Sequence, residues 1–139
     1  MAPLPSRQPK RLSLGSLETE ILEILWQRGQ ATAREIHEQI LADPDRELAC
    51  ASVTTVLNRL TEKGWLAKQR RQRSFVWQPV ISQQEATALQ AHHQLKAFLA
   101  VGNPDTVAAF ADELDATSIS QLEAIMQRLK TVRQDREAR

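Results

Sequence analysis

The chain has 139 residues, 42% hydrophobic and 25% charged, which allows one ordinary domain or a small binding unit with a short assembly segment, and excludes a substrate cleft roofed by a second large domain. The net charge of +1 hides an asymmetry: 12 Lys+Arg face 9 Asp+Glu up to Val80 and 6 face 8 beyond it, with Arg59, Lys63, Lys68, Arg70, Arg71 and Arg73 set against Glu62 alone between residues 59 and 73. A single cysteine, Cys50, excludes an internal disulfide, and no apolar run approaches the roughly 20 residues of a membrane span, so a cytoplasmic protein with no direct membrane insertion is expected.

Residues 1–12 carry three of the six prolines and no apolar signal core, and read as a flexible arm. From Leu14 to Trp26, the residues Leu14, Leu17, Ile21, Ile24 and Leu25 recur at helical spacing, with Ser16 as the expected N-cap and Gly29 as the stop. A second helix is predicted from Thr32 to Leu41. Thr32 caps it, Glu35 completes a capping box, and Asp43-Pro44-Asp45 ends it.

The third helix, Ser52 to Lys63, has Val53, Val56, Leu57 and Leu60 on one face. Ser52, Thr54, Thr55, Asn58, Arg59 and Glu62 occupy the other. Two short strands follow, Leu66–Arg70 and Ser74–Gln78, around a basic turn without glycine, for which a longer or stiffer tip is expected. Ser82 and Glu85 then cap a helix reaching Leu99, and Gly102-Asn103-Pro104 breaks it. Helices over about Asp105–Leu114 and Ser118–Arg133 follow, the latter with Ser118 as its cap and a fraying tail after Val132. Leu89, Leu95, Phe98, Leu99, Phe110, Leu122, Ile125, Met126 and Leu129 supply apolar stripes too small to form a core alone, so a second copy of the chain is expected to bury them.

Three helices followed by a basic hairpin is the order of a winged helix-turn-helix. The fold class is mainly α with a small β-wing. The expected organisation is an arm at 1–12, a DNA-binding domain at 13–80 and a helical dimerisation region at 81–139. In this arrangement the outer face of the third helix meets base edges in a major groove. Arg70, Arg71 and Arg73 then meet the flanking backbone or minor groove, and Lys63 at the end of the third helix is a further expected DNA contact.

Other residue patterns have duller readings. Cys50 reads as a small, partly buried apolar residue, with a redox role as the alternative. His92 and His93 diverge by about 100° on one helix and make a poor metal site. Trp26, Trp65 and Trp77 read as core packing, and no cofactor is expected. No phosphate loop, HExxH or paired nucleophile and base points to an enzyme.

The blocks Leu14–Gly29 (LGSLETEILEILWQRG), Ala31–Ile36 (ATAREI), Ser52–Gly64 (SVTTVLNRLTEKG) and Phe75–Pro79 (FVWQP) resemble the penicillinase-repressor family of the BlaI/MecI type. The resemblance implies a homodimeric repressor on a palindromic operator. It places Ser52, Thr54, Thr55, Asn58 and Arg59 on the DNA side and Arg34 near the phosphate backbone. It also implies inactivation by cleavage in the dimerisation region, triggered by a membrane-bound zinc metalloprotease sensor. Ala109-Phe110 stands at the matching position, where the family most often has Asn-Phe. The cysteine-rich C-terminal metal site of the CopY branch is absent from this sequence. A MarR-like regulator released by a small molecule is the alternative function.

Overall fold

The computed structural model describes residues 4–138, which form six helices and one hairpin: α1 (Ser16–Arg28), α2 (Ala33–Ile40), α3 (Cys50–Lys63), β1 (Leu66–Arg71), β2 (Ser74–Pro79), α4 (Gln83–Val101), α5 (Pro104–Phe110) and α6 (Ala116–Glu137). The chain divides into two compact units, the first running through Gln94 and the second from Leu95.

Local chemistry sets the boundaries. The Thr32 hydroxyl accepts from Glu35 N (3.1 Å) and the Glu35 carboxylate accepts from Thr32 N (2.9 Å), so the capping box forms as expected. Ser82 and Glu85 repeat it at α4, with both bonds at 3.0 Å. At α1 the cap is Gly15, not Ser16: the Glu18 carboxylate reaches back to accept from Gly15 N at 2.8 Å. At α6 the Asp115 carboxylate accepts from Ser118 N at 2.7 Å, which makes Asp115 the cap and moves the start earlier than expected. The helix then continues to Glu137, past the point where fraying was expected, with an Arg133–Glu137 pair on its last turn.

The core of the first unit joins Ile21, Leu22 and Leu25 of α1, Ile36 and Ile40 of α2, and Val53, Leu57 and Leu60 of α3 to Trp65, Leu66 and Trp77. Helix α3 includes two valines and three threonines, poor intrinsic helix formers, so its stability rests on this packing. The core also takes in Ile81, Ala86 and Leu89. The first half of α4 therefore packs within the first unit, beyond the boundary expected at Val80. Leu89 is only 2% exposed, which removes it from the stripe expected to meet a second copy.

The hairpin is antiparallel, with Leu66 opposite Pro79 and Arg71 opposite Ser74. Ala31 adds a bridge to Trp77, bonded in both directions at 3.1 and 2.9 Å, so the α1–α2 connection locks onto the hairpin base. The hairpin tip is shorter than expected: Gln72 and Arg73 alone close it, and Gln72 takes φ 57°. A two-residue hairpin turn needs this backbone sign, which normally selects glycine.

The three tryptophans serve packing, as expected. Trp65 is fully buried and its Nε1 donates to Arg11 O (2.9 Å), while Trp26 Nε1 donates to Ile81 O (3.0 Å). The first of these bonds holds part of the segment expected to be a flexible arm. Pro9 is buried and Lys10 N donates to Lys63 O at 2.7 Å, so this segment is docked where it nears α3.

Candidate nucleic-acid interface

With 100° per residue, the apolar arc of α3 at Val53, Val56, Leu57 and Leu60 leaves Ala51, Thr55, Asn58 and Glu62 on the outermost row. Ser52 and Arg59 lie on one flank of that row and Thr54 on the other. Burial agrees: Thr55, Asn58 and Arg59 are exposed, and Ser52 and Thr54 are half-buried. Thr54 Oγ1 and Thr55 Oγ1 donate back to Cys50 O and Ala51 O at 3.3 and 3.0 Å. Their protons are thereby used within the helix, and their oxygens remain free to accept.

The hairpin borders the Thr54 side. Lys68 Nζ donates to Asn58 Oδ1 at 3.4 Å and sits 4.1 Å above the Phe75 ring. This ties the wing to the polar face of α3. Lys68 belongs to the charged run but was not among the expected contact residues, and the alternation of β1 against Phe75 and Trp77 was the signal that could have placed it there. Arg70, Arg71 and Arg73 are exposed, and none forms an ion pair among the described residues.

Two expected contact residues have other partners. Lys63 is committed to Glu18 Oε2 at 2.8 Å and to Ser13 O at 2.9 Å, with its side chain 15% exposed, so it clamps α3 to α1 and is not free to meet a phosphate. Arg34 is exposed on α2, with its Nε 3.2 Å from Glu38 Oε1; so open an ion pair contributes little and yields readily to a competing anion. Glu18, which the sequence does not single out, is the buried charge of the first unit. Burial alone would push its carboxyl up, but bonds from Lys63 and Gly15 N, with the charges of Lys63 and Arg59, hold it below its ordinary value.

Cys50 is half-buried at the first turn of α3. His92 and His93 are exposed on α4, and His37 Nε2 is bonded to Leu48 O at 2.6 Å. Among the described residues no three His, Cys, Asp or Glu side chains cluster to hold a metal ion.

The second unit buries none of its large apolar side chains. Leu95, Phe98, Leu99, Leu122, Ile125, Met126 and Leu129 are 42–65% exposed. Phe110 is half-buried against Phe98, with ring centroids 6.0 Å apart, and the adjacent Ala109 is exposed on the short α5.

A family model described as penicillinase repressor matches residues 14–130. Transcriptional regulator BlaI of Mycobacterium tuberculosis is 36% identical over 80 residues, which cover 57% of this chain and 56% of BlaI. A 16.5 kDa protein of Latilactobacillus sakei is 26% identical over 111 residues, covering 78% of this chain and 75% of that protein. Among solved structures, the monomeric form of Bacillus licheniformis BlaI in complex with the blaP half-operator is 22% identical, with a TM-score of 0.44 over 52% of this chain and 87% of that one. The family match runs from before α1 through α3, the hairpin and most of α6, and on it the chain belongs to the penicillinase repressor family: it is a DNA-binding transcriptional repressor and not an enzyme.

Proposed function

We propose that the protein is cytoplasmic and silences transcription as a homodimer on a palindromic operator, each copy placing the outer face of α3 in a major groove. One observation carries this reading. The polar face of α3, with Ser52, Thr54, Thr55, Asn58 and Arg59, adjoins a hairpin whose Lys68, Arg70, Arg71 and Arg73 form no ion pair among the described residues. Short hydroxyl, amide and guanidinium groups suit base edges, and unpaired cations suit the flanking phosphates. The exposure of Leu95, Phe98 and Leu99 on α4 and of Leu122, Ile125, Met126 and Leu129 on α6 supports dimerisation, because large apolar side chains left open in this number are favourably buried against a second copy. Footprinting with purified protein tests the reading. Two protected half-sites about one helical turn or a multiple of it apart, weakening steeply with salt, are expected; protection without sequence preference at moderate salt contradicts it.

For release from DNA we propose cleavage at Ala109-Phe110, triggered by a membrane-bound zinc metalloprotease sensor. The family resemblance supports it, and so does the placement of this bond on a seven-residue helix with no buried residue, since such a segment opens locally at small cost. A new N-terminus at Phe110 in induced cells is the expected product. No helix among the described residues is long and apolar enough to cross a membrane, so the sensor would supply the membrane component. A second reading, release by a small molecule, has one observation in its favour: a cleft of about 430 Å³ between α1 and the first half of α4, lined by Leu14, Leu22, Trp26, Ala86, Gln90 and His93 among others. Loss of operator binding when a small molecule is added to pure protein favours it over cleavage.

A further inference from the structure

Helix α3 has cations on both of its flanks, and only the hairpin side belongs to the wing. On the other side, the segment before α1 is fixed by its backbone. Lys10 N donates to Lys63 O at 2.7 Å, Arg11 O accepts from Trp65 Nε1 at 2.9 Å, and a Cβ on Gly64 would lie 3.2 Å from Pro9 Cα. Gly64 also ends α3 with φ +90°, so its lack of a side chain serves both the helix stop and this close approach.

All the bonds that hold the segment are made by main chain or by Pro9, which leaves the side chains of Lys10 and Arg11 exposed and without an ion pair or hydrogen bond among the described residues. With Arg59, Glu62 and Lys63 they line an open recess of about 370 Å³ beside the C-terminal half of α3. Lys63 is neutralised by Glu18. The recess therefore offers three unpaired cations against Glu62, on the flank of α3 that also carries Ser52 and Arg59.

We propose that this recess is a phosphate-binding site, in which Lys10 and Arg11 grip the DNA backbone on the side of α3 opposite the wing. The proposal rests on the DNA-binding reading and adds a contact element that the wing and recognition helix do not provide. Rigid docking matters to the chemistry. A disordered basic arm loses conformational freedom when it binds, whereas cations on a fixed backbone lose only side-chain freedom. Phosphate contacts carry no base information, so this site sets affinity and register but not sequence preference.

The test uses the full chain, a duplex selected by the wild-type protein from random sequence, and an unrelated duplex of equal length. The double variant Lys10→Ala/Arg11→Ala is expected to weaken binding to both duplexes by the same factor. It should also reduce the slope of log affinity against log salt by about 2 per half-site, with an unchanged melting temperature. The charge-preserving pair Lys10→Arg/Arg11→Lys is expected to retain wild-type affinity and slope, which separates charge from any effect on packing. Wild-type affinity and slope in the alanine pair, while Arg70→Ala/Arg73→Ala weakens binding, would overturn the arm site and leave the DNA reading intact. Equal weakness in the charge-preserving pair would likewise overturn it. Failure of the wild-type protein to select any duplex would overturn both.

Discussion

Lys63 Nζ lies 2.8 Å from Glu18 Oε2 and 3.1 Å from Oε1, joining the first turn of α1 to the last turn of α3 across 45 residues of sequence. The pair is largely enclosed and fixes the orientation of α3 at the end that also carries Arg59. Removing one partner leaves the other buried without its counter-charge, with only a main-chain hydrogen bond remaining. Lys63→Met is expected to destabilise the first unit by about 3 kcal/mol, and Glu18→Leu with Lys63→Met to recover most of that loss. Chemical denaturation of the three proteins checks both.

The same pair gives a pH signature. The folded Glu18 carboxyl ionises below its ordinary 4.5. Its contribution is thus fully present above about pH 4.5 and is lost as the pH falls through the lower folded value. The stability gap between wild type and Glu18→Gln should stay constant above about pH 5 and narrow as the pH is lowered from about 4.5 toward 3. A gap that stays constant over this range would mean that the carboxylate is not held by Lys63.

At the hairpin tip, Gln72 holds φ 57° without being a glycine. A side chain there costs backbone energy that glycine avoids, partly offset by the greater freedom of glycine in the unfolded chain. Gln72→Gly is expected to raise stability by about 0.5–1 kcal/mol, and a β-branched Gln72→Val to lower it. Thermal melts decide the sign. Operator affinity should change little, because the charges at the tip remain.

Charges placed on the apolar face of α6 should abolish the proposed dimer. Leu122→Asp with Ile125→Asp is expected to give a monomer by sedimentation at concentrations where the wild-type chain is a dimer. A monomer engages one half-site only, so its operator affinity should fall by orders of magnitude while the first unit retains its melting temperature. A dimer that survives both substitutions would locate the interface elsewhere.

Base reading and backbone gripping should separate by mutation. Asn58→Ala and Arg59→Ala are each expected to cost about 1–3 kcal/mol on the selected operator and less on unrelated DNA. Arg71→Ala should weaken both duplexes alike and lower the salt slope by about 1. Competition binding with single-base operator variants measures the difference.

What could be read from the sequence was what neighbouring residues decide. Thr32 with Glu35 and Ser82 with Glu85 announce their helix starts within four positions. Val53, Val56, Leu57 and Leu60 reveal which side of α3 is buried. The order of helices and hairpin, and hence the winged fold, follows from such local signals. The features that escaped depend on distant partners. Nothing near Lys63 shows that its ammonium ends on Glu18, and nothing near Pro9 shows that it rests on Gly64. Leu89 looks like the other stripe residues until the first unit closes over it. Two caps were misplaced for a local reason: at Gly15 and Asp115 the chain had a competing choice one to three residues away, and a carboxylate bonded to a backbone N–H decided it. At the tip, the missing glycine suggested a longer or stiffer loop; the loop is short, and Gln72 adopts the left-handed conformation.

The most direct test is an NMR titration of the isotope-labelled full chain with a duplex carrying one selected half-site. The largest shifts are expected at Thr54, Thr55, Asn58 and Arg59 and along Lys68–Ser74, with Leu122–Leu129 unmoved. Shifts concentrated on α6, with the outer face of α3 unaffected at saturation, would contradict the account.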